Sequence, residues 1–253
     1  MNSGKAGRIV WHDLFTADRP RSMSFYEGVA GWTYRTEHAT RFAWGGGKKD
    51  FVLALSENEA GAGFAETPAG HEDGWIAYVE VKDVDATAAL AAKLGGAIVK
   101  PPFEVPGVGR NSLLRDPLGV LVGISFSRHS FPLPVRQFGV ERYLCEATAF
   151  PDRFYAELFG WKISSLGGEQ AGSVIAAPSG EDVAVHLVGN TQSDADANWV
   201  PGIKVAQPHA SLSEAVAMGG EPLNLLSQVS ENGHSAFLRD PNGALLCLLN
   251  AQV

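Results

Sequence analysis

Short runs of alternating apolar and polar residues, broken by glycine-rich turns, predict a chain made mostly of β-strands with few helices. Each half of the chain opens with a strand-like run, at residues 8–16 and 139–148, and a short helix follows. In the first half Asp18 can cap this helix, Pro20 lies in its first turn, and Gly31 can end it. Three short strands are expected next in each half, at residues 32–37, 41–45 and 50–56 and again at residues 161–165, 172–177 and 182–189.

The same succession then starts again inside each half. In the first half a strand at residues 75–81 leads through Asp83 into an alanine-rich helix at residues 86–94, which a Gly-Gly pair can end. Three more strands follow. The last two are joined by residues 116–119, whose Asp, Pro and Gly suit a type I turn. The predicted unit is β-α-β-β-β, and the chain carries it four times.

Several sequence motifs occur once in each half, in the same order. A Phe-Tyr pair followed by Gly-Trp, at residues 25–32, returns at residues 154–161, a shift of 129. An Asp-Pro-x-Gly motif at residues 116–119 returns at residues 240–243, a shift of 124. A repeat this long indicates a duplicated domain, since solenoid units span ~20–50 residues. We predict domain 1 at residues 7–127, a linker at 128–137 and domain 2 at 138–252.

Composition excludes several classes of partner. The 253 residues include 20 Lys and Arg against 28 Asp and Glu, for a net charge of −8, and such a chain repels a phosphate backbone. No apolar run approaches the ~18 residues of a membrane span, and the N-terminus lacks the apolar segment of a secretory signal. Two cysteines do not form a disulfide framework. We therefore expect a cytoplasmic protein with neither a nucleic-acid nor a membrane partner.

The order of these elements and motifs resembles the vicinal-oxygen-chelate superfamily, which includes glyoxalase I, extradiol dioxygenases and the bleomycin- and fosfomycin-resistance proteins. With Trp-His-Asp-Leu at residues 11–14, the chain is most similar to bacterial two-domain glyoxalase-like proteins described as hydroxylases of antibiotic pathways. The resemblance implies an α+β fold of two tandem glyoxalase-like domains, each a pair of βαβββ modules that form a cup-shaped mixed sheet. It also implies metal-ligand positions on the first, fifth and eighth strands, and in glyoxalase I on the fourth.

The residues at the implied positions of domain 1 do not suit a metal. Counting from the repeated motifs gives Trp11, Ala54, Ile76 and Gly123, none of which has a ligating side chain. His12 has a ligand's chemistry, but adjacent strand residues face opposite sides, so an inward Trp11 turns His12 outward. No metal and no other cofactor is expected in this cup.

The implied positions of domain 2 leave two interpretations open. With one residue deleted before the helix, Glu141 takes the first-strand position, and without that deletion Val140 does. Val200 takes the fifth-strand position, His186 the fourth and Cys247 the eighth. Glu141, His186 and Cys247 could supply three metal donors. We favour polar groups that line a metal-free pocket, because Val200 removes one donor and a thiolate departs from the family's hard-ligand chemistry.

Further side chains are candidates for a small-molecule pocket. Trp11 and Asp13 would share one strand face in domain 1, and Glu141 and Tyr143 would share one in domain 2. Arg110, just before the seventh strand, could meet an anionic ligand at the mouth of the first cup. The predicted ligand-binding residues are Trp11, Asp13, Ile76, Arg110, Gly123, Glu141, Tyr143, His186 and Cys247.

The favoured function is metal-independent binding of a small apolar or aromatic molecule in a cup, for sequestration or in an accessory role in metabolism. The alternative is a metal-dependent lyase, isomerase or dioxygenase that acts in domain 2. A metal-free enzyme with Asp13 or Glu141 as general base, and a structural protein whose cups are filled by their own side chains, also remain. The expected partner is a small molecule, and the chain is expected to be a homodimer or a monomer with an internal pseudo-dimer.

Overall fold

Domain 1 is a continuous eight-stranded sheet with two helices. The computed structural model describes residues 4–42, 45–145, 149–167, 171–188, 197–223 and 235–251. The elements of domain 1 are β1 (Ile9–Thr16), α1 (Arg19–Ala30), β2 (Thr33–Phe42), β3 (Gly45–Ser56), β4 (Glu59–Glu66), β5 (Gly74–Glu80), α2 (Val84–Lys93), β6 (Ala97–Val105), β7 (Gly109–Arg115) and β8 (Leu121–Ser127). The strand order is β2-β3-β4-β1-β5-β8-β7-β6, and the two modules join where β1 and β5 pair antiparallel.

Domain 2 repeats this succession, with its strands divided between two sheets. Its elements are β9 (Glu141–Cys145), α3 (Asp152–Phe159), β10 (Lys162–Ser165), β11 (Gly172–Ala176), β12 (Asp182–Val188), β13 (Asn198–Val200), β14 (Gly202–Val205), α4 (Pro208–Ala217), β15 (Glu221–Leu223), β16 (Ser235–Arg239) and β17 (Leu245–Asn250). The sheets have the orders β10-β11-β12-β9-β13 and β14-β17-β16-β15. Pro201 separates β13 from β14, and its carbonyl still accepts a hydrogen bond from the N–H of Cys247 at 3.0 Å.

Helix α1 begins and ends where the sequence predicts, whereas α2 begins at Val84, two residues before its predicted start, and ends at Lys93. The Asp18 carboxylate accepts a hydrogen bond from the N–H of Arg21 at 3.1 Å, and Gly31 ends α1 in the left-handed region with φ of 67°. Asp83 caps α2 in the same way, through the N–H of Ala86. Among the residues that the structure describes, no helix is long and apolar enough to cross a membrane.

The strand prediction is wrong between residues 41 and 66. Three short strands were expected before residue 57, whereas β2 and β3 are long and β4 follows them. β4 was missed because its sequence is rich in glycine and alanine, which have low strand propensity. Its pairing with β1 on one side and β3 on the other supplies the stability that its own residues lack. The three corresponding strands of domain 2 lie close to their predicted positions.

The helices and one face of the sheets pack between the two domains, and we call this face of each sheet the interdomain face. Helix α1 lies against α4, and α2 lies against α3. One buried cluster joins the first module of domain 1 to the second module of domain 2, and another joins the two remaining modules. This reciprocal packing is the arrangement that a pseudo-twofold relation between the halves requires.

The repeated motifs contact each other across this interface. The hydroxyl of Tyr155 in α3 donates to Asp116 Oδ2 of domain 1 at 2.8 Å, and the hydroxyl of Tyr26 in α1 donates to Asp240 Oδ2 of domain 2 at 3.2 Å. Each aspartate lies in the Asp-Pro-x-Gly turn, where its other oxygen accepts two backbone N–H groups. The helix motif with Phe-Tyr in each domain is therefore hydrogen-bonded to the Asp-Pro-x-Gly turn of the other domain.

We expect Tyr155→Phe to lower the free energy of unfolding by about 1–3 kcal/mol, because it removes a hydrogen bond to a buried carboxylate. It also removes the acceptor of the Trp199 indole N–H, which is 2.9 Å from the tyrosine oxygen. Urea denaturation monitored by tryptophan fluorescence measures the change. The control is Tyr34→Phe, which removes a hydroxyl bonded to the Met23 carbonyl in a partly exposed site. An equal loss in both variants would contradict a special role for the interdomain contact.

Candidate functional site

Alternate residues of β1 face opposite sides of the sheet, and this alternation defines the candidate site in domain 1. Leu14 belongs to the interdomain core, whereas Trp11 and Phe15 pack on the other side with Ile76 and Tyr78. We call this other side cup 1, and its lining includes Trp11, Asp13, Phe15, Phe51, Ile76, Tyr78, Leu113 and Gly123. Trp11, Asp13, Ile76 and Gly123 therefore share the face on which the sequence analysis places them, and their ligand-binding role stays a prediction. Ala54, expected at the fourth-strand position of this cup, instead lies on β3 in the interdomain core, because the true fourth strand is β4.

Asp13 is a buried carboxylate held by two aromatic side chains. Trp11 Nε1 donates to Asp13 Oδ1 at 2.8 Å, and the Tyr78 hydroxyl also donates to this carboxylate. Asp13 is 8% exposed. Burial raises the pKa of Asp13 to about 6, and the two hydrogen bonds reduce this rise without cancelling it. The cup therefore contains a carboxyl group that exchanges its proton just below neutral pH.

In cup 1, aromatic rings pack directly against the backbone of two glycines, in the space that a larger side chain would occupy. A Cβ atom at Gly123 would collide with the ring of Tyr78, and one at Gly63 would collide with the ring of Phe51. Gly123 stands at the eighth-strand position, where the superfamily resemblance implies a metal-binding carboxylate. In this chain a tyrosine ring fills that space.

Cup 1 is lined partly by side chains that remain accessible. Trp11, Phe51, Val99 and Leu121 are partly buried and pack against its fully buried residues. Leu133, from the segment between the two domains, joins them. These five side chains therefore keep part of their surface exposed to solvent.

Glu141 and Tyr143 lie on the interdomain face of β9, so their predicted inward placement is wrong. Glu141 Oε1 is 2.8 Å from His12 Nε2, with both side chains buried, and the Tyr143 hydroxyl donates to Asp116. The error comes from the deletion assumed before the second helix. Without it, Glu141 corresponds to His12 at the shift of 129 and not to Trp11. The predicted outward orientation of His12 is confirmed.

His186 lies in the predicted strand but on the wrong face. β12 pairs with β9 so that His186 is beside Tyr143 on the interdomain face. Its imidazole ring stacks on Phe150 with ring centroids 4.7 Å apart, and its Nε2 is 3.4 Å from Cys145 Sγ. Burial lowers the pKa of His186, which favours the neutral ring. His186 therefore contributes to packing between the domains and does not line the cup of domain 2.

The opposite side of domain 2 forms a second, mostly apolar cup, which we call cup 2. Its lining includes Leu144, Val185, Leu187, Val200, Phe237, Leu245, Cys247 and Leu249. The predicted inward placement of Cys247 is confirmed. Burial raises the pKa of Cys247 to about 11, so its thiol is protonated at neutral pH. Arg142 was not among the predicted residues, although it corresponds to Asp13 at the shift of 129 once the assumed deletion is removed.

Arg110 does not lie in cup 1, contrary to its predicted position at the mouth. Its guanidinium donates to the Asp85 carboxylate of α2 at 2.6 and 2.7 Å and is 3.2 Å from Glu104 Oε1. These contacts raise the pKa of Arg110 further above its usual range. This pairing could not be predicted from the sequence, because Asp85 precedes Arg110 by 25 residues.

The side chains present do not fit the metal site that the superfamily resemblance implies. In cup 1 the implied positions hold Trp11, Ile76 and Gly123, whose side chains are not metal ligands. In domain 2, Glu141 and His186 face the interdomain core, whereas Cys247 faces cup 2, so the three cannot converge. Within the described part of the chain, no three His, Cys, Asp or Glu side chains are grouped so that they could hold a metal ion.

Two family models match the chain, one in each half. The model described as "Glyoxalase/Bleomycin resistance protein/Dioxygenase superfamily" matches residues 8–124, and the model described as "Glyoxalase-like domain" matches residues 144–249. A relative from Mycobacterium tuberculosis (strain CDC 1551 / Oshkosh), named "Putative glyoxylase CFP32", is 27% identical over 253 residues, covering 97% of this chain and 95% of that protein. "Anthracycline biosynthesis protein DauV" of Streptomyces sp. (strain C5) is 24% identical over 259 residues, covering 94% and 91%.

Solved structures share the fold at low sequence identity. A mutant of 4-hydroxymandelate synthase from Streptomyces coelicolor has a TM-score of 0.63 at 11% identity, with 97% of this chain and 93% of that chain covered. An extradiol ring-cleaving dioxygenase from B. fuscum has a TM-score of 0.59 at 15% identity, with 97% and 72% covered. The two family models, which together match most of the chain, show that it belongs to the glyoxalase/bleomycin resistance/dioxygenase superfamily, with one such domain in each half.

Proposed function

We propose that the protein binds a small aromatic or apolar molecule in cup 1 without a metal, and that Asp13 orients this ligand. The observation that carries the proposal is a buried carboxylate, held by Trp11 and Tyr78, among apolar side chains that remain partly accessible. Pockets for small molecules typically combine an apolar lining with a few placed polar groups. Sequestration of the ligand, or an accessory role in its metabolism, would follow from such binding.

The lining favours an aromatic ligand. Trp11, Phe51 and Tyr78 place three large rings in one cup, and Trp11 and Phe51 are only partly buried. Offset or edge-to-face contact between rings contributes roughly 0.5–1.5 kcal/mol beyond the burial of apolar area. A flat ring system would therefore gain more from this cup than an aliphatic molecule of the same size.

Asp13 favours a ligand that carries a hydrogen-bond donor. An ionised carboxylate has about four lone-pair positions, and Trp11 and Tyr78 occupy two of them. A ligand hydroxyl or amine could occupy another. Because the pKa of Asp13 is about 6, this acceptor is fully available only above that pH.

The raised pKa also favours a second candidate function, metal-free general acid–base catalysis. A carboxyl group with a pKa close to the working pH can both accept and return a proton. In that case Asp13→Asn would abolish turnover of a bound compound while much of its affinity remained. In a pure binding protein, the bound compound would be recovered chemically unchanged from wild type and variant alike.

We expect Trp11→Ala to weaken the binding of 2-naphthol, an aromatic probe with one hydroxyl donor, by about tenfold or more, because truncation of an aromatic anchor commonly costs over ~1 kcal/mol. Titration calorimetry measures the affinity, and thermal melting measures stability. The control is Val216→Ala, which alters an exposed side chain on α4. A Trp11→Ala variant that kept its affinity but lost the ~3–5 kcal/mol typical of a core tryptophan would show that the cup is filled by its own side chains.

We expect Asp13→Asn to stabilise the protein at neutral pH. The folded protein binds the Asp13 proton more tightly than the unfolded chain does, since the pKa is about 6 against an ordinary value of 3.8. The contribution of Asp13 to the free energy of unfolding therefore falls as the pH rises from about 4 to about 6 and stays lower above that range. At about 1.4 kcal/mol per pKa unit, the deficit at neutral pH is on the order of 2–3 kcal/mol.

Urea denaturation of wild type and Asp13→Asn between pH 4 and pH 7 tests this prediction, with pH values chosen to bracket the range of about 4 to 6. The two proteins should differ little at the acidic end and diverge as the pH rises. Asp182→Asn, which alters an exposed carboxylate at the start of β12, serves as the matched control. Parallel curves for wild type and Asp13→Asn over the whole range would contradict the raised pKa.

A further inference from the structure

We propose a second ligand site, in cup 2, that takes a small organic acid. The apolar body of this acid would lie against the lining of cup 2, and its carboxylate would pair with the guanidinium of Arg142. The proposal concerns domain 2 and does not rest on the function proposed for cup 1.

Strand register places Arg142 on the cup 2 side of β9. Its neighbours Glu141 and Tyr143 face the interdomain core, so Arg142 faces away from it. In the ladder Arg142 lies between Val185 of β12 and Val200 of β13, and both of these belong to the cup 2 cluster.

Arg142 also contacts the floor of cup 2. The guanidinium hydrogen-bonds Cys247, which is fully buried, and this contact slightly opposes the rise in the cysteine pKa that burial causes. One Nη1 hydrogen bond goes to the backbone carbonyl of Val140. A guanidinium has five N–H donors, so these two contacts leave donors for a ligand.

The charge of Arg142 has no carboxylate partner among the described residues, in contrast to two other partly buried arginines. Arg8 pairs with Glu181 at 2.6 Å, and Arg110 pairs with Asp85 at the same distance. None of the ion pairs in the described part of the chain includes Arg142. The acidic residue next to it, Glu141, points to the opposite side of the sheet and pairs with His12.

A partly buried arginine among apolar side chains favours a ligand with a negative charge. The guanidinium carries a positive charge, and a partly buried charge among apolar side chains is costly unless an anion compensates it. The apolar cluster of cup 2 and its protonated thiol supply no such anion. The carboxylate of Glu221 lies on the same side of the sheet, but it is exposed and is paired across the ladder with Arg239. A carboxylate can make two parallel hydrogen bonds to a guanidinium, while its apolar body replaces water along the leucines and valines.

The two cups therefore differ in charge at one equivalent position. Arg142 of β9 stands where Asp13 stands in β1, at the shift of 129. Cup 1 presents an anion to its ligand, and cup 2 presents a cation.

A matched set of probes that share one ring system tests this inference. At neutral pH the wild-type protein is titrated in a calorimeter with 2-naphthoate and with its neutral counterpart 2-naphthamide. We expect 2-naphthoate to bind about tenfold or more tightly than 2-naphthamide, because charge-assisted hydrogen bonds are roughly twice as strong as neutral ones. Arg142→Gln should remove this preference, and Arg142→Lys should retain part of it.

Val216→Ala, which alters an exposed side chain on α4, is the control and should leave the affinities for 2-naphthoate and 2-naphthamide unchanged. Each probe is titrated by itself, so a failure of 2-naphthoate binding is distinct from a failure of 2-naphthol binding. Thermal melting confirms that each variant is folded, and the comparison of the two probes on wild type does not depend on any variant. Absence of saturable 2-naphthoate binding, equal affinity of wild type for the acid and the amide, or undiminished 2-naphthoate binding by folded Arg142→Gln would each overturn the proposal.

Discussion

The hydrogen bond from a helix tyrosine of one domain to a turn aspartate of the other is the contact on which the arrangement of this protein depends. It is made twice, by Tyr155 with Asp116 and by Tyr26 with Asp240. Each aspartate also fixes its own turn through two backbone N–H groups, so the turn, the helix and the interface share one buried carboxylate. Removal of either partner leaves a buried polar group unsatisfied, which is more costly than the net value of the hydrogen bond itself.

Since the helices and one face of the sheets are committed to this interface, the other faces are left to form the two cups. The alternation of side chains along each strand then decides which residues line a cup and which face the interface. In β1 the sequence Trp-His-Asp sends tryptophan and aspartate into cup 1 and histidine to the interface. In β9 the same alternation sends Arg142 into cup 2 and Glu141 to the interface. Glu141 meets His12, its own counterpart in the repeat, at 2.8 Å.

Sequence patterns predicted the features that depend on local chemistry and on counting within one half. The caps at Asp18 and Gly31 and the inward face of Trp11 and Asp13 are of this kind, since each follows from neighbouring residues. The predicted orientations of Glu141 and Tyr143 were wrong because one assumed deletion shifted the alignment of β9 by a single residue. In a strand, a shift of one residue exchanges the two faces completely. The partners of Arg110 could not be found from sequence, because they depend on how α2 lies against the sheet.

The reciprocal contact also affects how relatives of this chain should be compared. The residues that identify the repeat, such as Tyr26 and Asp116 with their counterparts, are those that join the halves, and none of them lines a cup. A comparison of relatives that is based on these motifs therefore reports how the two halves stay joined, and it carries no information about the side chains of either cup.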